Sequence, residues 1–217
     1  MKTVYFVRHG EAEVNVSSTF GAEDTPLTDK GREQARSVAE RCAKLPIDVI
    51  IASTMERAQE TASIVSRRIE LPTEAVELFE ERHRPSVLYG KERDNVEANR
   101  IYLQWIDAFF TSGNRVEDGD NFLSLKERAG KALSYLQERP EANILVVTHG
   151  FFLRTILARI IFGETLSPQE LYMVMRTFHI SNTGITMATF DPAQESERPY
   201  PRGPWRVLTW NDQAHLG

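Results

Sequence analysis

At 217 residues the chain is long enough to bury a full core, and its 41% apolar and 26% charged residues exclude a disordered or fibrous class. A net charge of -5 excludes the broad basic face of a nonspecific nucleic-acid binder, and the lone Cys42 excludes an intrachain disulfide or a multi-cysteine metal centre. With no uninterrupted apolar run of about 18 residues and an apolar start too short for a signal peptide, the expectation is a soluble cytoplasmic protein with no membrane partner. A single domain over residues 1–217 is expected.

Val4-Tyr5-Phe6-Val7 predicts a strand buried on both faces. It stops at Arg8-His9-Gly10, delivering a cation and an imidazole to the strand's carboxyl end, where open α/β sheets bind ligands. Residues 12–27, with Asn15, Gly21 and Pro26, read as a loop. Thr28 is placed as the N-cap of a helix over residues 29–45 that Pro46 ends. Residues 48–52 predict a second buried strand, and Ser53-Thr54 a capping pair opening a helix with Ala58, Ala62, Val65 and Ile69 inward. Arg57 then falls in the first turn, where a cation opposes the helix dipole by about a few tenths of a kcal/mol; a bound anion would account for it.

Further along, residues 95–110 predict a helix with Tyr102, Trp105, Ile106 and Phe109 on its apolar face, and Asp120 is placed as the N-cap of the next helix, which carries Phe122, Leu125, Ala129 and Leu133. Residues 143–148 form a third unit of buried strand, turning at His149-Gly150 into a helix over residues 151–162. An antiparallel strand over residues 185–190, a loop holding four prolines from Pro192 to Pro204, and a last strand over residues 205–210 complete the chain. The expected fold is α/β, a three-layer α/β/α sandwich with a mostly parallel central sheet, one antiparallel contribution near the end and a helical insertion over the carboxyl edge.

Three strand-to-helix junctions thus present Arg8 and His9, then Arg57, then His149. Arginine forks match phosphate oxygens, and an imidazole with one unprotonated nitrogen can attack phosphorus to give a phosphohistidine. No metal and no cofactor is called for: the chain has no His-Glu-x-x-His helix, calcium loop, P-loop, dinucleotide fingerprint or serine elbow.

Arg8-His9-Gly10-Glu11, Asn15, Pro26-Leu27-Thr28 with Gly31 and Gln34-Ala35, Ser53 with Arg57-Ala58 and Thr61-Ala62, and Thr148-His149-Gly150 together resemble the histidine phosphatase superfamily, which includes the phosphoglycerate mutases. The resemblance covers residues 1–81 and 119–190 and touches 211–216. It implies that His9 is phosphorylated, that Arg8, Arg57 and His149 complete the phosphoryl pocket, and that Asn15 makes a further substrate contact. It also implies a proton-donating carboxylic acid after the third strand. Glu81 fits the mutase-like Glu-Arg-His pattern and is preferred; Glu80 fits the more general spacing behind a leucine. Such an acid needs burial or a neighbouring negative charge to hold its proton.

Gly119-Asp120-Asn121 departs from the family's Gly-Glu-Ser, leaving any role of that motif open, and Asn182 is a pocket contact by analogy alone. Residues 82–121 are expected to form a cap-like wall, in which Arg82, His83, Arg84, Tyr89 and Lys91 either touch a second anionic group or form a solvated basic turn. The function implied is metal-independent hydrolysis of a small phosphomonoester through phosphohistidine. Phosphoglycerate mutase-type transfer and a noncatalytic phosphoryl-binding module are the alternatives. The expected partner is a small phosphorylated substrate, not nucleic acid; oligomeric state is not readable.

Overall fold

Alternation along β1 (Lys2–Arg8) sends Val4 and Phe6 to one face of a central sheet and Tyr5 and Val7 to the other, and all four are buried. In the computed structural model, which describes residues 1–21, 25–195 and 203–217, the sheet is completed by β2 (Val49–Ala52), β3 (Thr73–Ala75), β4 (Asn143–Thr148), β5 (Ile185–Phe190) and β6 (Trp205–Asp212). The strand order is β3-β2-β4-β1-β5-β6. Strands β1 to β4 run parallel; β5 pairs antiparallel with β1, and β6 antiparallel with β5. Thus β5 alone runs against the others.

The helices are α1 (Glu13–Val16), α2 (Asp29–Cys42), α3 (Glu56–Ile69), α4 (Val96–Phe110), α5 (Phe122–Glu138), α6 (Gly150–Phe162) and α7 (Pro168–Thr177). Val38, Ala39 and Cys42 of α2 and Ala58, Ala62 and Val65 of α3 pack on the Tyr5 face. Leu125, Ala129 and Leu133 of α5, Leu153 and Ile156 of α6 and Leu171 of α7 pack on the Phe6 face. The result is the expected α/β/α sandwich, its parallel strands covered on both sides because crossover helices must lie on the faces. No helix among the described residues is long and apolar enough to cross a membrane.

Several local expectations shift. Asp120 is not a cap: Asn121 occupies the N-cap of α5, its side chain accepting from the Ser124 N–H, while Asp120 accepts from the His83 N–H at 2.9 Å and from Arg128. Ser53 and Thr54 do not cap α3, whose N-cap is Met55 without a side-chain bond. The loop over residues 12–27 contains the one-turn helix α1, and part of it, residues 22–24, lies outside the described residues, as does residues 196–202 of the proline-rich loop. Helix α7 had a readable signal, a Ser167-to-Glu170 capping box with Pro168 at the first turn.

One close approach sets the seat of the first strand's end. A Cβ on Gly31 would meet the Glu11 carbonyl oxygen at 1.9 Å, and one on Gly10 would meet the Gly31 carbonyl oxygen at 2.4 Å, so backbone packs directly on backbone between the β1 exit and the first turn of α2. Gly31→Ala is expected to cost about 1–3 kcal/mol, the usual range for overpacking. Its urea unfolding midpoint should fall with an unchanged slope; an unaltered midpoint would mean that the approach is not structurally required.

Candidate active site

Parallel pairing fixes where the strand ends lie. Arg8 stands opposite Thr148, and Ala52 opposite Val147. The His9 N–H donates to the Thr148 carbonyl at 2.9 Å, and the Ser53 N–H to the Val147 carbonyl at 3.0 Å. The chains therefore leave the sheet together, and the rings of His9 and His149 sit 5.0 Å apart between centroids. From the other side, the turn before β5 grips the same strand end. The Thr183 N–H donates to the Arg8 carbonyl at 2.8 Å, and Asn182 Nδ2 donates to the His9 carbonyl at 2.9 Å. Thr183 adopts a left-handed φ of 58° to do so. Asn182, expected in the pocket by analogy, thus holds the backbone of His9.

The tautomer of His9 follows from its neighbours. Nδ1 lies 2.6 Å from the Gly10 carbonyl oxygen, which can only accept, so Nδ1 carries the proton. Nε2 is left with a lone pair, toward which Arg57 Nε–H donates at 3.3 Å. Burial, then the charges of Arg57 and Arg8, push the His9 pKa well below the ordinary imidazole value, so the ring stays neutral. His149 is held neutral in the same way, by burial first and then by Arg57 and His9. Its Nε2 lies 2.8 Å from Ser53 Oγ, its Nδ1 is buried without a partner, and it is 0% exposed.

Arg8, His9, Asn15, Arg57 and Glu81 line one cavity of about 390 Å³; His149 adjoins His9 but does not line it. Arg8 donates Nη1 to the Ile180 carbonyl at 2.8 Å, and its Nε is buried without a partner. Arg57, in the first turn of α3, is 5% exposed and also reaches Met55 Sδ at 3.1 Å. Asn15 Oδ1 accepts from the Ala12 N–H at 3.0 Å, which fixes its side chain at the rim.

The two candidate acids separate. Glu81 lines the cavity, its carboxylate accepting from the backbone N–H groups of Arg82, Phe151 and Phe152, each at 3.0 Å. Phe151 and Phe152 open α6, so the Glu81 carboxyl group sits at a helix N-terminus, where a carboxylate gains about 0.3–1 kcal/mol. Glu80 does not line the cavity. It accepts from Thr54 and lies 3.0 Å from His83 Nε2, and the His83 hydrogen bond is the chief reason its pKa is lowered. Arg128 on α5 clamps both backbone carbonyls, Glu80 at 2.7 Å and Glu81 at 3.1 Å, fixing which carboxylate faces inward.

Of the residues expected on the wall, Arg82, Arg84 and Tyr89 line the cavity, whereas His83 pairs with Glu80 and Lys91 does not line it. Sequence reasoning missed Arg154 of α6, which also lines the cavity, and Thr61, whose hydroxyl oxygen accepts from the Gly10 N–H at 3.1 Å. Arg154 lies beyond the first turn of α6, so the helix-start signal that marked Arg57 did not reach it. It missed the pairing of Ser53 with His149 as well, because a serine after a strand reads first as a cap. Among the described residues no group of three or more His, Cys, Asp or Glu side chains could hold a metal ion. The arrangement can bind a tetrahedral anion against two guanidinium groups, with a neutral imidazole and a carboxylate in the same cavity.

Comparison with known proteins agrees with this geometry. Residues 4–212 match the family model of the histidine phosphatase superfamily, branch 1. Curated relatives include a probable phosphoglycerate mutase GpmB of Enterobacter sp. strain 638, 32% identical over 226 residues that span 100% of this chain and 95% of that protein. Among solved structures, YhfR of Bacillus stearothermophilus superposes with a TM-score of 0.80 at 26% identity, covering 100% of both chains. A phosphoserine phosphatase of Entamoeba histolytica, solved with 3-phosphoglyceric acid, superposes with a TM-score of 0.74 at 22% identity, also over 100% of both chains. With a family model running from the first strand to the last and the His9 and His149 strand ends side by side, the chain belongs to the histidine phosphatase superfamily.

Proposed function

We propose that the chain is a phosphatase that hydrolyses a small phosphomonoester through a phosphohistidine on Nε2 of His9. The observation that carries this reading is the fixed tautomer: the Gly10 carbonyl holds the proton on Nδ1, and the Nε2 lone pair meets Arg57 in a cavity that Arg8 also lines. Arg8 and Arg57 pair with the nonbridging oxygens, each charge-assisted bond contributing about 1.5–3 kcal/mol. Nε2 attacks phosphorus, the N–P bond forms as the ester P–O bond breaks, and the leaving oxygen takes a proton from Glu81. Water then gives its proton to the Glu81 carboxylate while its oxygen displaces the imidazole, releasing inorganic phosphate. The unpartnered Nδ1 of His149, beside the His9 ring, is read as a further donor to the transferred group, with the Ser53 hydroxyl donating to Nε2. The charge chemistry is supplied by these side chains, so activity is expected to persist in EDTA.

A second reading, mutase-type transfer in which the phosphoryl group returns to another hydroxyl, is favoured by the name its 32% identical relative carries. The two differ in product: free phosphate in one case, interconverted phosphoglycerates in the other.

His9→Ala should lose on the order of 10⁴-fold or more in phosphate release, with the phosphorylated-protein mass seen for wild type after acid quench absent from the variant. Equal rates would remove His9 as nucleophile. Glu81→Gln should slow single-turnover release of the alcohol from an alkyl phosphate by about 100-fold to 10,000-fold, and the burst of p-nitrophenol from p-nitrophenyl phosphate, whose leaving group needs no proton, far less; Glu80→Gln should do neither. A larger effect at Glu80 would reverse that assignment. Because the His9 pKa lies well below the imidazole norm, kcat/KM corrected for substrate ionisation should stay level as pH falls from about 7.5 to about 6. A decline centred on the ordinary value, about 6.5, would show that His9 titrates as a solvated imidazole.

A further inference from the structure

The cavity holds more positive charge than a phosphoryl group requires. Arg8, Arg57, Arg82, Arg84 and Arg154 line it, and Glu81 is the one carboxylate among the lining residues. A phosphomonoester dianion together with Glu81 balances three of these five arginines. The remainder lie on one wall, where the start of the cap meets the start of α6.

Arg82 is the sharpest case. Its guanidinium carbon lies 3.8 Å from the Phe151 ring centroid and 4.5 Å from that of Trp105, so two aromatic faces hold the group in place. Its Nη1 is buried with no hydrogen-bond partner, and burial pushes its pKa down to about 10. Glu81 offsets part of this charge, but that one carboxylate also serves Arg8 and Arg154. Arg154 spends Nε on the Gly150 carbonyl and Nη1 on the Met175 carbonyl, at 3.0 Å each, which fixes its plane and leaves it to share Glu81 with the other arginines. Tyr89 donates its hydroxyl to the Arg84 carbonyl at 3.2 Å, pinning the turn that carries the third guanidinium. None of the three has a carboxylate partner among the described residues. Guanidinium groups that share a single carboxylate cost stability unless a further anion completes them.

We propose that Arg82, Arg84 and Arg154 form a second anion site, and that the enzyme's substrates are phosphomonoesters carrying a second anionic group, a carboxylate or another phosphate, on the side of the molecule away from His9. The proposal rests on phosphoryl transfer at His9 and adds the substrate class to it.

Matched substrate pairs test it on the full chain. Phosphate release is followed for 3-phosphoglycerate against glycerol 3-phosphate, which differ by a carboxylate, and for fructose 1,6-bisphosphate against fructose 6-phosphate, which differ by a phosphate. At least one doubly anionic member should exceed its partner in kcat/KM by about tenfold to 100-fold, the worth of one or two charge-assisted contacts, and the pair that responds identifies the second group. Arg84→Ala on the half-buried turn should cut that ratio about tenfold, and Arg82→Met should bring it toward one. Ratios near one for both pairs in wild type, with turnover intact, would overturn the second site while leaving hydrolysis standing. If no phosphoester is turned over, titration calorimetry of wild type with the same pairs still decides the site: tighter binding of a doubly anionic member supports it, and equal binding overturns it. That failure of turnover would count against the His9 mechanism alone.

Discussion

Parallel hydrogen bonding between β1 and β4 places the two histidines, and the other features of the site are arranged around that placement. The pairing runs from Thr3 opposite Asn143 to Arg8 opposite Thr148, and it continues one step beyond the strands in the His9 to Thr148 bond. A slip of one residue would turn His9 to the opposite face and carry Val4 and Phe6 out of one core and into the other. Register is therefore held by both cores at once. Val4, Phe6, Ile144 and Val146 bury on one side, and Tyr5, Val7, Leu145 and Val147 on the other. Hydrophobic packing far from the cavity thus sets the 5.0 Å ring separation inside it.

Around those rings the protein gathers charge that does not favour its own stability. Two buried imidazoles and the guanidinium groups of Arg8 and Arg57 share one small region, each pushing the histidines toward neutrality. A neutral ring is what a nucleophile needs, and arginine remains charged under the same burial, so burial acts differently on the two residue types. Glu81 partly offsets the cations and at the same time satisfies the N-terminal N–H groups of α6. Arg128 holds the Glu80–Glu81 backbone from behind, stacked 4.6 Å from the Phe152 ring centroid, so the direction of the Glu81 carboxylate is decided on α5, outside the cavity.

The segment over residues 82–121 contributes differently. Its helix α4 buries Trp105 and Phe109, which pack edge to face at 6.3 Å, and Phe109 meets Phe151 at 5.4 Å. Phe20 from the first loop packs with Leu88 and Ala98, joining that loop to the cap. A shared fold carries many substrates, and the second anion site proposed above would draw discrimination among them from Arg82 and Arg84 on this wall.

The sequence by itself determined the elements whose signals are local. Four apolar residues ending at Arg8-His9, a second run ending at Ser53, a third ending at Thr148-His149 and the apolar stripes of α2, α3, α5 and α6 specify strands, helices and a parallel sheet, because hydrophobic period and buried runs act over neighbouring residues. Ordered motifs then connected those strand ends to one family. Tertiary structure decided what depends on contacts across the chain: that β4 lies between β1 and β2, that Ser53 turns to His149 instead of capping α3, and that Asn121 displaces Asp120 as the cap of α5. It also decided that Glu81 faces the cavity while Glu80 turns to His83, a choice between adjacent carboxylates made by Arg128, which is 47 residues along the chain from Glu81. Side-chain direction at a chain exit depends on which distant group reaches it first, and linear spacing does not contain that information.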